Sequence, residues 1–291
     1  MLNLPAPAKL NLFLHVVGRR DDGYHRLQTA FVFIDLADQI DLRLRRDANI
    51  TRSAGLAEVP VEQDLTVRAA RLLQARTGSR HGVDIAVRKH IPAGGGLGGG
   101  SSDAATVLLG LNRLWKLHLS NRELRAIGLE LGADVPVFVG GNNAIAQGVG
   151  ELLEPVTLPP MRLRLAWPGV AVPTAAIFSA PELTRNTAED RIQGFSGLAL
   201  AGGRTFMDWL KSETRNDLQP VAAGKYPEVA AALKWLERQK DAGLVRMSGS
   251  GACCFALLEG ESAPDAPSGD LQVWELSTLT VHPLHCLALD A

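Results

Sequence analysis

The sequence predicts a mixed α and β protein built in two lobes. Three observations carry this reading. Side chains alternate with period two over residues 7–17 and in the runs AFVFIDL (30–36) and QIDLRLR (39–45). A glycine run opens directly into a helical pattern, HIPAGGGLGGGSSDAATVLLGLNRLW, from His90 to Trp115. A proline-rich, polar-poor stretch, EPVTLPPMRLRLAWPG, changes the composition near residues 155–160, after which strands and helices begin again. A chain of 291 residues has room for two ordinary domains, and the boundary is set at 1–158 and 159–291.

Taken in order, residues 7–17 form a strand, and 30–36 and 39–45 form two more joined at Ala37-Asp38. Asp22-Gly23 marks a tight turn between the first two. DLTVRAARLLQART has helical periodicity, starts at Asp64 as its cap and stops at Gly78. GVDIAVRKHI is a strand leading into the glycine run. Helices follow over Ser101–Leu117 and Asn121–Leu131, the second capped by Ser120 and closed by Gly132. Beyond the boundary come the strand RLRLAW, helices near 204–212 and 227–240, and the strands of LVRMSGSGACCFALLE and LQVWELS, with 260–270 as a mobile surface loop.

A net charge of −1 gives no global field to attract nucleic acid or anionic lipid, so any anionic ligand must be held locally. Three cysteines, two of them adjacent and none in a metal-ligand spacing, argue against a disulfide framework or structural zinc and fit a reducing cytoplasm. The first 15 residues lack a basic stretch ahead of an apolar core, and no apolar run is long enough to span a bilayer.

Six glycines occupy the seven positions from Gly94 to Gly100, broken only by Leu97. A helix start leaves N–H groups unpaired at the positive end of its dipole, and glycines let an anion reach them. Ser101 and Ser102 add hydroxyls there, to cap the helix, touch phosphate or approach a magnesium ion. Gly94, Gly96 and Gly99 satisfy GxGxxG, but a second helix stands where a dinucleotide unit needs a strand and a ribose-reading acid. No lysine follows the glycines as in Walker A, and the VAIK, HRD and DFG signatures of protein kinases are missing.

The remaining pattern, Pro92, Gly96-Leu97-Gly98 and Ser101-Ser102, resembles the ATP loop of the GHMP kinases, which phosphorylate small molecules. Three further segments are similar to that family in the same order. PAKLNLFL alternates so that Lys9, Asn11, Phe13 and His15 share one face and Ala8, Leu10, Leu12 and Leu14 the other. A strand lysine also serves as a solvated edge charge; the resemblance implies that Lys9 is catalytic and that Asn11 faces substrate. GADVPVF sets Asp134 between a helix stop and a proline, a helix-cap position; the resemblance implies instead a catalytic carboxylate paired with Lys9. MSGSGACCF, a sharp glycine bend in its own right, matches the family's third motif beside the phosphate loop.

The resemblance implies an α+β fold, with an N-terminal domain like the second domain of ribosomal protein S5 and a ferredoxin-like C-terminal domain, and ATP held along Pro92, Ala93, Gly94, Gly95, Gly96, Leu97, Gly98, Gly99, Gly100, Ser101 and Ser102. Mg²⁺ would travel with ATP, held largely by phosphate and water, since no acidic cluster marks a metal cage. GRRDDGYHRLQT and VPTAAIF resemble the substrate segments of the branch that phosphorylates a cytidine diphosphate alcohol, at its 2-hydroxyl, for isoprenoid precursors. Tyr24 and Phe178 would then stack on cytosine, His25 would read its polar edge and Thr174 would line the pocket. Seen alone, Tyr24 and His25 make an ordinary polar hairpin tip. Asp64 departs from the asparagine frequent in the family: an aspartate caps a helix equally well but cannot donate a hydrogen bond to a nucleobase through its side chain. RNTAEDR also has the family's look, without an assignable role. The alternatives are a GHMP kinase for homoserine, mevalonate or a sugar, and a catalytically silent nucleotide-binding regulator. Oligomeric state is not legible in the sequence.

Overall fold

The structure is a computed structural model that describes residues 1–54, 59–188, 203–267 and 269–288. Its N-terminal half is organised by one long antiparallel hairpin, β1 (Leu2–Arg19) and β2 (His25–Arg45), paired from Leu2↔Leu42 to Arg19↔His25. The two strands expected at 30–36 and 39–45 are one, because Asp38 is not a turn residue. It is fully buried, and its carboxylate accepts the N–H groups of His90 (2.6 Å) and Ile91 (2.9 Å) and pairs with Lys89. The same contacts end β4 (Gly82–Arg88) three residues early, turning Lys89–Ile91 toward the glycine run.

The alternation expected in β1 also changes. Register shifts between Asn11 and Leu14 turn Phe13 into the same apolar cluster as Leu10 and Leu12, so it leaves the face of Lys9 and Asn11. β4 pairs antiparallel with β2 and parallel with β3 (Ile50–Ala54), and β5 (Ala144–Gln147) pairs with β2 and with β6 (Leu152–Pro155). Helix α1 (Leu65–Thr77) starts where Asp64 accepts the Thr66 N–H and stops at Gly78, whose φ of 67° suits a residue without Cβ. Helix α2 (Gly99–Leu114) follows the glycine run, and α3 (Asn121–Leu129) begins with a reciprocal Ser120–Glu123 capping box. The short α4 (Val135–Gly140) follows Asp134.

The C-terminal half has the antiparallel order β10-β7-β9-β8, from β7 (Arg162–Trp167), β8 (Ala242–Met247), β9 (Cys254–Leu258) and β10 (Gln272–Leu279). Helices Gln219–Lys225 and Pro227–Glu237 pack there through Val221, Val229 and Leu236, and α5 (Thr174–Phe178) through Ile177. After pairing with β7, β10 continues onto β2 through Thr278↔Ile34 and Leu279↔Phe33, so one run of strands crosses both halves. Leu10, Leu12, Val32 and Ile34 share a core cluster with Leu163, Leu165 and Phe255, which makes the junction between halves part of the interior. Among the described residues no helix is long and apolar enough to cross a membrane.

Candidate active site

A cleft of about 680 Å³ is lined by β1, the glycine run, Asp134, α5 and the second glycine turn. The glycine run is shaped by its carbonyls. Gly94 O accepts the Ala252 N–H (3.2 Å), Gly95 O the Cys253 N–H (3.1 Å), Leu97 O the Lys9 N–H (3.0 Å), and Gly96 O the Ser248 hydroxyl (3.0 Å). With these oxygens bound to β1 and to the turn between β8 and β9, none of the N–H groups from Gly94 to Ser101 has a protein partner among the described residues. Gly94, Gly96 and Gly98 have φ of 66°, 73° and 71°, a region L side chains avoid. A Cβ on Gly96 would lie 2.2 Å from Ser248 O, so this glycine is demanded by backbone packing as well as by access.

Lys9 is 3% exposed; its ammonium donates to Asn11 Oδ1 (2.6 Å) and Gly96 O (3.1 Å) and stands 3.7 Å from Asp134 Oδ2. Burial pushes its pKa below the ordinary lysine value, and the Asp134 carboxylate works against that shift. Asn11 is oriented in turn, its Nδ2 donating to Thr29 Oγ1 (2.8 Å) and its N–H to Ser248 Oγ (3.2 Å). Asp134 stands at the N-cap of α4 in an α-type conformation and makes no side-chain cap bond. Its carboxylate is turned to Lys9 instead.

The other expected residues divide. Pro92 to Ser101, Thr174 and Phe178 line the cleft, and Thr174 Oγ1 lies 2.8 Å from Ser250 Oγ. Ser102 is buried beneath it, its hydroxyl donating to Pro7 O (2.7 Å) and tying α2 to β1. His25 stacks on Phe178 with ring centroids 5.1 Å apart and 33° between planes. Tyr24, 65% exposed at the hairpin tip, and His25 both lie outside the lining of the cleft, so of the two rings expected to stack on the base only Phe178 lines it, and His25 adjoins the cleft through its contact with Phe178. The Asp64 carboxylate is fully engaged, by Thr66 N–H and hydroxyl on one oxygen and Arg52 on the other; burial raises its pKa, but these bonds outweigh it and leave it low.

Sequence reasoning missed three groups. Lys89 bridges Asp38 and Asp103 under the start of α2, and burial pushes Asp103 up to about 7 against the pull of the Lys89 ammonium. The only clue was a cation beside the glycine run. Ser248 clamps the loop to β1. Arg185, in the segment without an assigned role, donates to His25 Nε2 (3.1 Å) and to the carbonyls of Phe178 and Ala180 at the end of α5. No group of three or more His, Cys, Asp or Glu side chains able to hold a metal occurs among the described residues. The arrangement can cradle an anion on bare amides and set a carboxylate and an ammonium beside it.

Two family models match the chain: the GHMP kinases N terminal domain over residues 64–142 and the GHMP kinases C terminal over 198–266. Curated relatives from Paraburkholderia phytofirmans and Thiobacillus denitrificans, each named 4-diphosphocytidyl-2-C-methyl-D-erythritol kinase, are both 52% identical, covering 97% of this chain and 96% of theirs. A crystal structure of 4-(cytidine 5'-diphospho)-2C-methyl-D-erythritol kinase superposes with a TM-score of 0.76 at 32% identity, over 95% of this chain and 99% of that one. A homoserine kinase from Cytophaga hutchinsonii has the same fold, with a TM-score of 0.70 at 16% identity over 97% of this chain and 95% of its own.

Proposed function

The chain belongs to the GHMP kinases, and we propose that it transfers the γ-phosphoryl group of ATP to the 2-hydroxyl of 4-diphosphocytidyl-2-C-methyl-D-erythritol, giving the 2-phosphate and ADP for isoprenoid precursor synthesis. It is a small-molecule kinase of the α+β GHMP fold, with the S5-like and ferredoxin-like lobes of that family. The observation that carries the reading is the run of unpartnered N–H groups from Gly94 to Ser101 in one cleft with the Lys9–Asp134 pair.

The triphosphate lies along Pro92–Ser101 in this reading, its oxygens taking the N–H groups that the anchored carbonyls leave exposed. Ser102 supports the loop through β1 rather than touching phosphate, its hydroxyl being bound to Pro7. Asp134 accepts the proton of the attacking hydroxyl and orients it, while the Lys9 ammonium, 3.7 Å from the carboxylate, counters charge on the transferred group. Asn11 and Thr174 line the wall on the alcohol's side, and His25, Phe178 and Tyr24 serve the cytidylyl end. Tyr24 reaches the base only if the hairpin tip folds inward. Mg²⁺ travels with ATP in this reading, held largely by phosphate oxygens and water with the Ser101 hydroxyl at the cleft lining, and when bound would neutralise phosphate charge. Residues 1–158 supply the phosphate loop and the catalytic pair, and 159–291 the opposite wall. The cytoplasm offers ATP and keeps the three free thiols reduced.

Turnover on a panel of alcohols tests the assignment. The cytidylyl alcohol should be phosphorylated with kcat/KM far above homoserine, mevalonate or galactose. A better rate on any of those would replace it with a sibling activity.

A further inference from the structure

Arg185 lies in a segment to which the sequence assigned no role, and its contacts are unusually specific. Its Nη1 donates to Leu183 O (3.0 Å) and its Nη2 to Phe178 O (3.0 Å) and Ala180 O (2.6 Å), which fixes the guanidinium plane against the end of α5. Two residues on, Thr187 is anchored by its N–H to Val16 O (3.1 Å) and by its hydroxyl to Asp217 (2.6 Å), so the backbone that carries Arg185 is tied to β1. From this fixed position Arg185 Nε reaches His25 Nε2 at 3.1 Å.

A guanidinium N–H can only donate, so His25 Nε2 must present its lone pair. A neutral imidazole with a lone pair on Nε2 carries its hydrogen on Nδ1. Burial, and then the charges of Arg185 and Arg19, push the His25 pKa below the ordinary histidine value, in keeping with a neutral ring. Nδ1 has no partner among the described residues, while the ring lies on Phe178 at 5.1 Å.

We propose that Arg185 is a positioning residue that locks His25 as the Nδ1–H tautomer, making it a fixed donor that selects a base with an acceptor at ring position N3. The inference rests on the cytidylyl substrate proposed above. Cytosine N3 is such an acceptor, whereas uracil carries a hydrogen at N3 and would set two donors face to face. A lysine at 185 would offer a mobile point charge in place of the planar fork that fixes both α5 and the ring.

Long-range ¹⁵N–¹H spectra of the histidine side chains in the full chain, with His25 assigned by its loss in His25→Asn, test the lock directly. The expected pattern is hydrogen on Nδ1; hydrogen on Nε2 overturns the proposal. In Arg185→Met the ring should relax toward the Nε2–H form. KM for the cytidylyl alcohol should rise, KM for ATP should stay near parental, and the preference in kcat/KM for the cytidylyl over the uridylyl alcohol should fall by about 10- to 100-fold. An unchanged preference in a variant with parental ATP kinetics overturns the selectivity role. Should Arg185→Met fail to fold, His25→Asn and His25→Gln decide, because an asparagine amide stands near the Nδ1 position and a glutamine amide near Nε2. Asparagine should retain more of the preference, and the reverse order overturns the proposal. Failure of the substrate reading is distinguishable: the parent would not turn over the cytidylyl alcohol, while the tautomer would still be read from the spectra.

Discussion

Lys9 and Asp134 show how little of a residue's role lies in its local pattern. Asp134 occupies a cap position yet makes no cap bond, so Asp134→Asn should leave the melting temperature almost unchanged while kcat falls by roughly 10²-fold or more. A loss of stability comparable to a missing cap, with kcat kept, would return it to a structural role. The same variant tests the pairing through pH. Burial lowers the Lys9 pKa and Asp134 raises it, so removing the carboxylate lowers it further. Lys9 is charged below its pKa, so the alkaline limb of the remaining activity should move to lower pH. Glycines divide in the same way. Gly96→Ala meets Ser248 O at 2.2 Å with φ at 73° and should cost about 1–3 kcal/mol of stability or more, measured by denaturant unfolding. Gly100→Ala meets only Leu65 Cδ1 at 3.3 Å and should fold normally, its effect appearing in KM for ATP.

Elements with local signals were legible. Asp64 and Gly78 bound α1, and Ser120 with Glu123 starts α3, because caps are short-range chemistry written within four residues. The glycine run was legible as a helix opening, and the structure adds that its carbonyls are bound to β1 and to the turn before β9. What stayed hidden depended on partners far along the chain. Asp38 looked like a turn because its ligands lie more than 50 residues away at Lys89–Ile91. Arg185 was opaque because His25 is 160 residues distant. Tyr24 was placed by family likeness alone, and its backbone leaves it at the hairpin tip. The helix start offers a clean separation of roles. Ser102→Ala removes the bond to Pro7 O and should cost about 1 kcal/mol of stability with KM for ATP little changed. Ser101→Ala, at the lining of the cleft, should do the opposite, raising KM for ATP at parental stability. Matching effects from both would mean that the two hydroxyls act together.

At the scale of the molecule the two halves share a core, and their last common support comes from far down the chain. His282 packs edge-on against Phe33 and Phe138, with ring centroids 5.4 and 6.5 Å away, and Leu284 enters the N-terminal core. Burial, with a smaller push from His285, lowers the His282 pKa to about 3. The unfolded chain binds a proton near pH 6.5 that the folded one refuses, so stability should decline as pH falls from about 6.5 toward 3. His282→Gln should flatten that decline in melts taken across the range, and an unchanged slope would assign it to other groups. Phe138 belongs to α4, directly after Asp134, and a Cβ at Gly98 would touch its ring at 2.9 Å. Residues 272–284 therefore brace the helix that follows the carboxylate as well as stitching β10 to β2. They leave the ribosome after every residue that lines the cleft. A nascent chain stalled short of them carries the phosphate loop, Lys9 and Asp134 without that brace.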